Sequence, residues 1–193
     1  MERTKTSFDK VLAEFLAPAL SDGQKALEAL DLPVGAEVLD VGTGVGMFAI
    51  YLAVNDFQVI TGEPEADSTI YAKKDWKSNA QRFGLEDKIA FRNFDASDMP
   101  FDSARFDAVF FFGALHHIDE EVREMAVSEG VRVCKQNGAV VFFEPTQNTL
   151  QRIWDSDPQH PMAADPGYYL KDNSIEVTKL EGDIMNVYIL KFA

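Results

Sequence analysis

The sequence predicts an α/β fold: a doubly wound, mostly parallel seven-stranded sheet with helices on both faces and an antiparallel closing strand. Short apolar β-type runs alternate with longer helical patterns from about residue 37 to residue 144. These runs are continuously apolar rather than alternating, which marks strands covered on both faces. Two last β-type runs, 175–180 and 185–192, flank Glu181-Gly182-Asp183 and read as a hairpin, so that one strand at the sheet edge runs antiparallel.

Taken in chain order, Phe8, Val11, Leu12, Phe15 and Leu16, then Leu27 and Leu30, recur at helical spacing and predict two short amphipathic helices between residues 6 and 30. Ser21 with Gln24 three residues later has the pattern of a capping box for the second helix, and Leu32-Pro33-Val34-Gly35 is a breaker. Strands are expected at 37–41, 57–61, 88–92, 106–112 and 139–144, with helices at about 45–54, 66–83 and 120–134. Right-handed crossovers between parallel strands leave few ways to connect them. From 145 to 173 the chain turns to Asp, Pro, Gln and aromatics without clear periodicity, and is expected to be irregular. A length of 193 residues suits one domain (1–193), read as an N-terminal helical cap (1–34), a core (35–145), and an irregular segment with the closing hairpin (146–193).

A hydrophobic fraction of 46% and a charged fraction of 26% suit a folded globular chain. The net charge of -14, with no cluster of lysines or arginines, gives a field that repels phosphate backbones and anionic membrane surfaces. Nucleic acid and membrane are therefore not expected as partners, and a small-molecule substrate is favoured. Cys134 is the sole cysteine, which excludes an intramolecular disulfide and any centre built from several thiolates, and suits a reducing cytoplasm. No apolar run approaches the roughly 18 residues that a membrane span needs, and no leader sequence is visible.

Val38-Leu39-Asp40-Val41-Gly42-Thr43-Gly44-Val45-Gly46 places a glycine-rich turn between the first parallel strand and the helix after it. In doubly wound sheets ligands bind outside the carboxyl ends of the strands near this point. A dinucleotide fingerprint would put its third glycine at position 47, but Met47 stands there and the third glycine is Gly46; no phosphate-cradling G-x-x-x-x-G-K-[ST] is present either. Asp40 lies where a strand-end carboxylate meets a cationic ligand, or where it simply orders the loop. Glu63 follows Gly42 by 21 residues and ends the second strand, a position from which a carboxylate accepts from both ribose hydroxyls or caps the next helix. Together they imply a ligand containing a nucleoside.

The run 37–50 resembles motif I of the class I S-adenosylmethionine-dependent methyltransferases, and later segments resemble that family in order. These are Asp95-Ala96-Ser97-Asp98-Met99-Pro100-Phe101, Phe106-Asp107-Ala108-Val109, and Arg132-Val133-Cys134-Lys135-Gln136-Asn137-Gly138. The resemblance spans about residues 35–145, with the closing hairpin in its expected place, and makes 35–145 the cofactor-binding core. It implies S-adenosylmethionine as cofactor and S-adenosylhomocysteine as product. It further implies that Gly42, Thr43, Gly44 and Gly46 pack against the methionine portion and ribose while Asp40 approaches the amino-acid end. Glu63 would hold the ribose hydroxyls, Pro64 would lie on the adenine, Asp95 would accept from the adenine amino group with Ala96 supplying a backbone N–H, and Phe112 and Gly113 would meet the methionine portion.

Methyl transfer from a sulfonium is an in-line displacement in which alignment and water exclusion supply much of the catalysis, and a base is needed only for a protonated acceptor. In Ala114-Leu115-His116-His117-Ile118, His116 or His117 is the nearest candidate base; paired histidines here also order loops. No third ligand for a metal is apparent beside them, so no metal is expected. His160, with Trp154, Tyr168 and Tyr169, either lines an acceptor pocket or packs on the sheet edge. Cys134 reads as a buried small hydrophobe. Phe112-Gly113-Ala114-Leu115 does not resemble the [DNS]-P-P-[YFW] of methyltransferases acting on nucleic-acid bases, again favouring a small acceptor. Cover for that acceptor is expected from the N-terminal helices and residues 146–173; both are short, which leaves a pocket that is open, completed by a partner subunit, or able to admit a larger acceptor such as a protein side chain. A non-catalytic S-adenosylmethionine-binding partner or sensor is the alternative, and a nicotinamide oxidoreductase is disfavoured by the glycine spacing.

Overall fold

The computed structural model describes residues 2–66 and 75–192, with side chains from Lys10 onward. Seven strands form one sheet in the order β3-β2-β1-β4-β5-β7-β6. They are β1 (Glu37–Val41), β2 (Gln58–Gly62), β3 (Ile89–Phe91), β4 (Phe106–Phe112), β5 (Cys134–Pro145), β6 (Ile175–Leu180) and β7 (Met185–Phe192). The first five pair in parallel, while β7 pairs antiparallel with both β5 and β6. The antiparallel strand therefore sits one position inside the edge, and β6 takes the edge itself, where residues 176–179 are exposed.

Alternate side chains of each central strand enter opposite apolar layers, as pleating requires. Val38, Val59, Phe110, Val141, Phe143 and Ile189 join the layer beneath α1 (Glu2–Leu30) and α2 (Met47–Val54). Leu39, Ile60, Val109, Phe111, Val140, Phe142 and Leu190 join the other, covered by Ala126, Val127 and Val133 of α4 (Glu120–Val133). This two-sided burial explains why the strands read as unbroken apolar runs.

The N-terminal region is one continuous helix of 29 residues that contains Pro18, in place of the two helices expected. Ser21 and Gln24 do not form a capping box. Ser21 Oγ donates to Asp183 Oδ2 at 2.6 Å, and Gln24 bonds Glu28 within the helix. Between them Asp22, 1% exposed, accepts from the amides of Asp183, Ile184 and Met185 at 2.8–2.9 Å. A helix that docks on the β6–β7 turn through its middle continues across positions whose local pattern suggests an end.

Residues 67–74, within the helix expected at 66–83, lie outside the described residues; α3 (Trp76–Arg82) is the part described, capped by Asp75, whose side chain accepts from Ser78 N. In the segment read as irregular, α5 (Gln147–Trp154) forms, capped by Thr146, and Leu150 is its buried anchor. A single 3-10 turn follows at Pro166–Tyr169. β5 begins at Cys134, five residues before the apolar run, with an irregular register opposite Phe106 and Ala108. Lys135 Nζ pairs there with Asp107 Oδ1 at 2.7 Å. Cys134 is buried and free at the start of this strand, and burial pushes its thiol up to about 12.

Candidate functional site

A cavity of about 560 Å³ opens at the carboxyl ends of β1, β2 and β4. That is within the range of small-molecule sites, roughly 300–1,000 Å³. One wall is the turn after β1, where Gly42, Gly44 and Gly46 have φ of 93°, 50° and 78°. Left-handed backbone at every second residue needs glycine, and it folds the turn tightly enough for Gly46 N to reach Thr43 O at 2.8 Å and for α2 to begin. Gly42 N donates to Gly62 O at 2.9 Å, joining the ends of β1 and β2.

Glu63 follows β2, is 6% exposed, and lines the cavity. Its Oε2 accepts from Gly44 N at 3.2 Å, so the carboxylate is held to the glycine turn and does not cap α3. Pro64 lies beside it on the wall. Across the cavity stand Phe94, Asp95 and Ala96. Asp95 is exposed, and its Oδ1 accepts from both the amide and the hydroxyl of Ser97 at 2.8 and 2.7 Å. At the floor, Phe112 stacks on Phe48 with centroids 4.6 Å apart, and Gly113, at φ 62°, donates its amide to Phe143 O. Ten of the predicted site residues thus meet on one cavity: Gly42, Thr43, Gly44, Glu63, Pro64, Asp95, Ala96, Phe112, Gly113 and His117.

Three others stand behind it. Gly46 shapes the turn from beneath, and a Cβ there would lie 2.9 Å from Trp76 Cβ. Asp40 is 1% exposed and sits under the turn. Its Oδ2 accepts from Thr61 Oγ1 at 2.8 Å, which in turn lies 2.9 Å from Thr43 Oγ1, while Oδ1 has no hydrogen-bond partner. Burial pushes the Asp40 carboxyl up to about 7 despite the Thr61 hydroxyl, and the neighbouring Glu63 carboxylate adds to the rise. His116 is buried with Nδ1 2.8 Å from Glu144 Oε2, whereas its neighbour His117 is exposed on the cavity wall.

Trp154, His160, Tyr168 and Tyr169 do not line the cavity, and Tyr168 is 87% exposed. No residue of α1 or of the 146–173 segment contributes to the wall among the described residues. The described part of α1 packs instead on one face of the sheet and on the β6–β7 turn. Sequence reasoning missed Ile118, Asp119 and Val122, which close the wall from the start of α4. It also missed Arg123, which donates to the carbonyls of Ile118 and His116 at 2.9 and 3.1 Å and so braces the histidine turn.

The comparisons with known proteins agree with this geometry. The methyltransferase-domain family matches residues 39–142, from β1 through β5. The chain belongs to that family, the class I S-adenosylmethionine-dependent methyltransferases. Among characterised relatives it is 31% identical over 121 residues to methyltransferase GfsG of Streptomyces halstedii, covering 63% of this chain and 42% of that protein. It is 28% identical over 113 residues to the 27-O-demethylrifamycin SV methyltransferase of Amycolatopsis mediterranei, covering 58% and 40%. The chain thus spans about two fifths of the length of these relatives. Among solved structures, a SAM-dependent methyltransferase from Aquifex aeolicus superposes with a TM-score of 0.64 at 20% identity, covering 96% of this chain and 97% of that one. The PH0226 protein of Pyrococcus horikoshii gives 0.70 at 15%, covering 92% and 90%. At these identities the structures establish the fold.

Proposed function

We propose that this chain binds S-adenosylmethionine in the cavity and transfers its methyl group to a small-molecule acceptor. The observation that carries the reading is the pairing of two carboxylates across one cleft: Glu63, held to the glycine turn, faces the Asp95–Ala96 wall over a partly apolar slot. Glu63 then accepts from the ribose hydroxyls, Asp95 from the adenine amino group with the Ala96 amide beside it, and Pro64 lies on the base. Gly42, Thr43 and Gly44 let the methionine portion approach the backbone, with Phe112 and Gly113 beneath. Asp40 supports that portion from below through Thr61 and Thr43. Its unpartnered buried oxygen fits a site that receives a cation.

When bound, S-adenosylmethionine supplies a methyl group on a sulfonium, an electrophile that needs no further activation. The chain's share is alignment: the turn and the Phe48–Phe112 stack set the depth of the ligand, and Ile118 and Val122 exclude water from the reacting end. His117 stands on the wall where an acceptor would enter, and His116 positions it from the buried side. A net charge of -14 fits a small acceptor better than a polyanion.

Parallel calorimetric titrations with S-adenosylmethionine, S-adenosylhomocysteine and NAD test the reading: binding of both adenosyl ligands without NAD is the expected result, and no adenosyl binding overturns it. Glu63→Ala is expected to weaken adenosyl binding by roughly 1–3 kcal/mol through lost charge-assisted hydrogen bonds. Unchanged affinity would refute the ribose assignment. Formation of S-adenosylhomocysteine with a panel of small acceptors separates transfer from binding alone.

A further inference from the structure

Three histidines from two distant stretches of chain meet beside the cavity. His116 and His117 form the 3-10 turn after β4, and His160 lies on the loop after α5. Their ring centroids are 4.3, 5.1 and 5.0 Å apart, and one ring nitrogen of each lies within 4.8 Å of one on each of the others. The sequence offers two adjacent histidines; folding supplies the third.

On two of these rings, His116 and His160, the proton is directed away from the centre. His116 Nδ1–H donates to Glu144 Oε2 at 2.8 Å, which leaves the lone pair on Nε2. His160 Nδ1 lies 2.9 Å from the Pro161 carbonyl oxygen, a pure acceptor, so there too the lone pair is on Nε2. A carboxylate behind a ligating imidazole fixes the tautomer and raises ligand basicity in metal sites. Glu144 is fully buried, its Oε2 also accepts from Ala164 N at 2.8 Å, and its Oε1 has no hydrogen-bond partner. Among the described residues no lysine or arginine pairs with it. A dication on the far side of the His116 ring would offset that buried negative charge. The backbone around the cluster is braced by Arg123 on the carbonyls of His116 and Ile118, and by Trp154 Nε1 on His160 O at 2.9 Å.

We propose that His116, His117 and His160 bind one divalent transition metal, with Glu144 orienting His116 and a further coordination position open to the cavity. His116 and His160 are buried, whereas His117 is exposed on the cavity wall, so the open position faces the pocket through the His117 side. Three imidazoles suit Zn²⁺, Co²⁺ or Ni²⁺, and three protein ligands with one open position is the pattern of reactive rather than purely structural sites. Nitrogens about 2.0–2.1 Å from a tetrahedral ion stand roughly 3.4 Å apart. Binding therefore draws the rings inward. The ligand class for the open position is a small molecule with an anionic or acidic oxygen. The metal site stands on the histidine geometry alone; its use in presenting an acceptor rests on the proposed methyl transfer.

The test is titration of the chelator-stripped chain with Co²⁺, followed by visible absorption, and with Zn²⁺, followed by calorimetry. S-adenosylmethionine binding is measured separately on the same samples, so the two readings fail independently. One equivalent bound with micromolar or tighter affinity, and the absorption of a four-coordinate ion, is the expected result. His117→Ala, at an exposed position, should weaken the metal at least 100-fold, and His160→Ala likewise. Glu144→Gln should weaken it by about 10–100-fold. Acetohydroxamate, an oxygen chelator, should perturb the Co²⁺ spectrum. Absence of stoichiometric binding, or affinity unchanged in His117→Ala, overturns the metal site; a spectrum indifferent to acetohydroxamate overturns the open position.

Discussion

Asp40→Asn probes the buried carboxyl beneath the glycine turn. In the folded chain this group holds its proton up to about pH 7, against an ordinary value of 3.8. Between those values the folded state binds more protons than the unfolded one, so this group's contribution makes stability fall as pH rises, levelling off above 7. At about 1.4 kcal/mol per pH unit the full effect is roughly 4 kcal/mol, and the part between pH 5 and pH 8 is roughly 3 kcal/mol. Asparagine keeps an oxygen for the Thr61 hydroxyl and has no charge to desolvate. Its amide group replaces the oxygen that has no partner, at a cost of about 1–3 kcal/mol that does not vary with pH. Urea unfolding of parent and variant at a series of pH values therefore has a definite expected form. The stability of the variant relative to the parent should climb by about 3 kcal/mol from pH 5 to pH 8. Because the comparison is a difference, other carboxylates cancel. A gap that stays constant within about 0.5 kcal/mol would show that Asp40 titrates normally and that its second oxygen is satisfied.

Asp22→Ala removes the acceptor for three amides and a lysine, and should destabilise the fold by roughly 3 kcal/mol at pH 7. Burial alone would raise the Asp22 carboxyl, but the Met185, Asp183 and Ile184 amides and Lys25 outweigh it and hold it below the ordinary range. Its stabilising share is thus present above the ordinary carboxylate range and lost as pH falls through the lowered value, so the gap in urea midpoints should shrink in acid; a gap that persists unchanged there would refute the account. Gly62→Ala places a Cβ 2.0 Å from the Arg92 carbonyl oxygen, which must move, and should lower Tm by several degrees together with any ligand binding at the neighbouring Glu63. A variant with parental Tm would show that β2 and the segment after β3 yield freely.

The strands were legible because their signal is local. A strand covered on both faces needs a largely apolar run, and those at 37–41 and 106–112 match β1 and β4 residue for residue. The closing runs at 175–180 and 185–192, set off by the turn residues between them, match β6 and β7 just as closely although β6 is an exposed edge strand. The position of β7 between β5 and β6 was not legible, since a hairpin sequence does not say which of its strands finds the sheet. α1 was divided in two because its middle offers Ala19, Gly23 and Ala26, small residues with little periodic signal; Ala19 and Ala26 are fully buried, and Tyr51 lies against Gly23. α5 was missed although Leu150, Ile153 and Trp154 recur at i, i+3 and i+4 behind the Thr146 cap, because eight residues hold only one such repeat and the Asp- and Pro-rich stretch after them masks it.

The sequence by itself determined most of the strands, the glycine turn and the spacing of Glu63 from that turn, because each depends on residues near in the chain or on the fixed repeat of strand and helix, while Asp95 was implied by the family resemblance. Only the tertiary structure decided that Asp40 lies beneath the turn, that His116 is buried while His117 faces the cavity, and that His160 joins them across more than forty residues of chain. Glu144 is the clearest case: in the sequence it is one more residue at the end of an apolar run, and its role follows from the buried oxygen it brings to His116. Contacts of this kind are set by which surfaces pack together, and packing is a property of the whole chain.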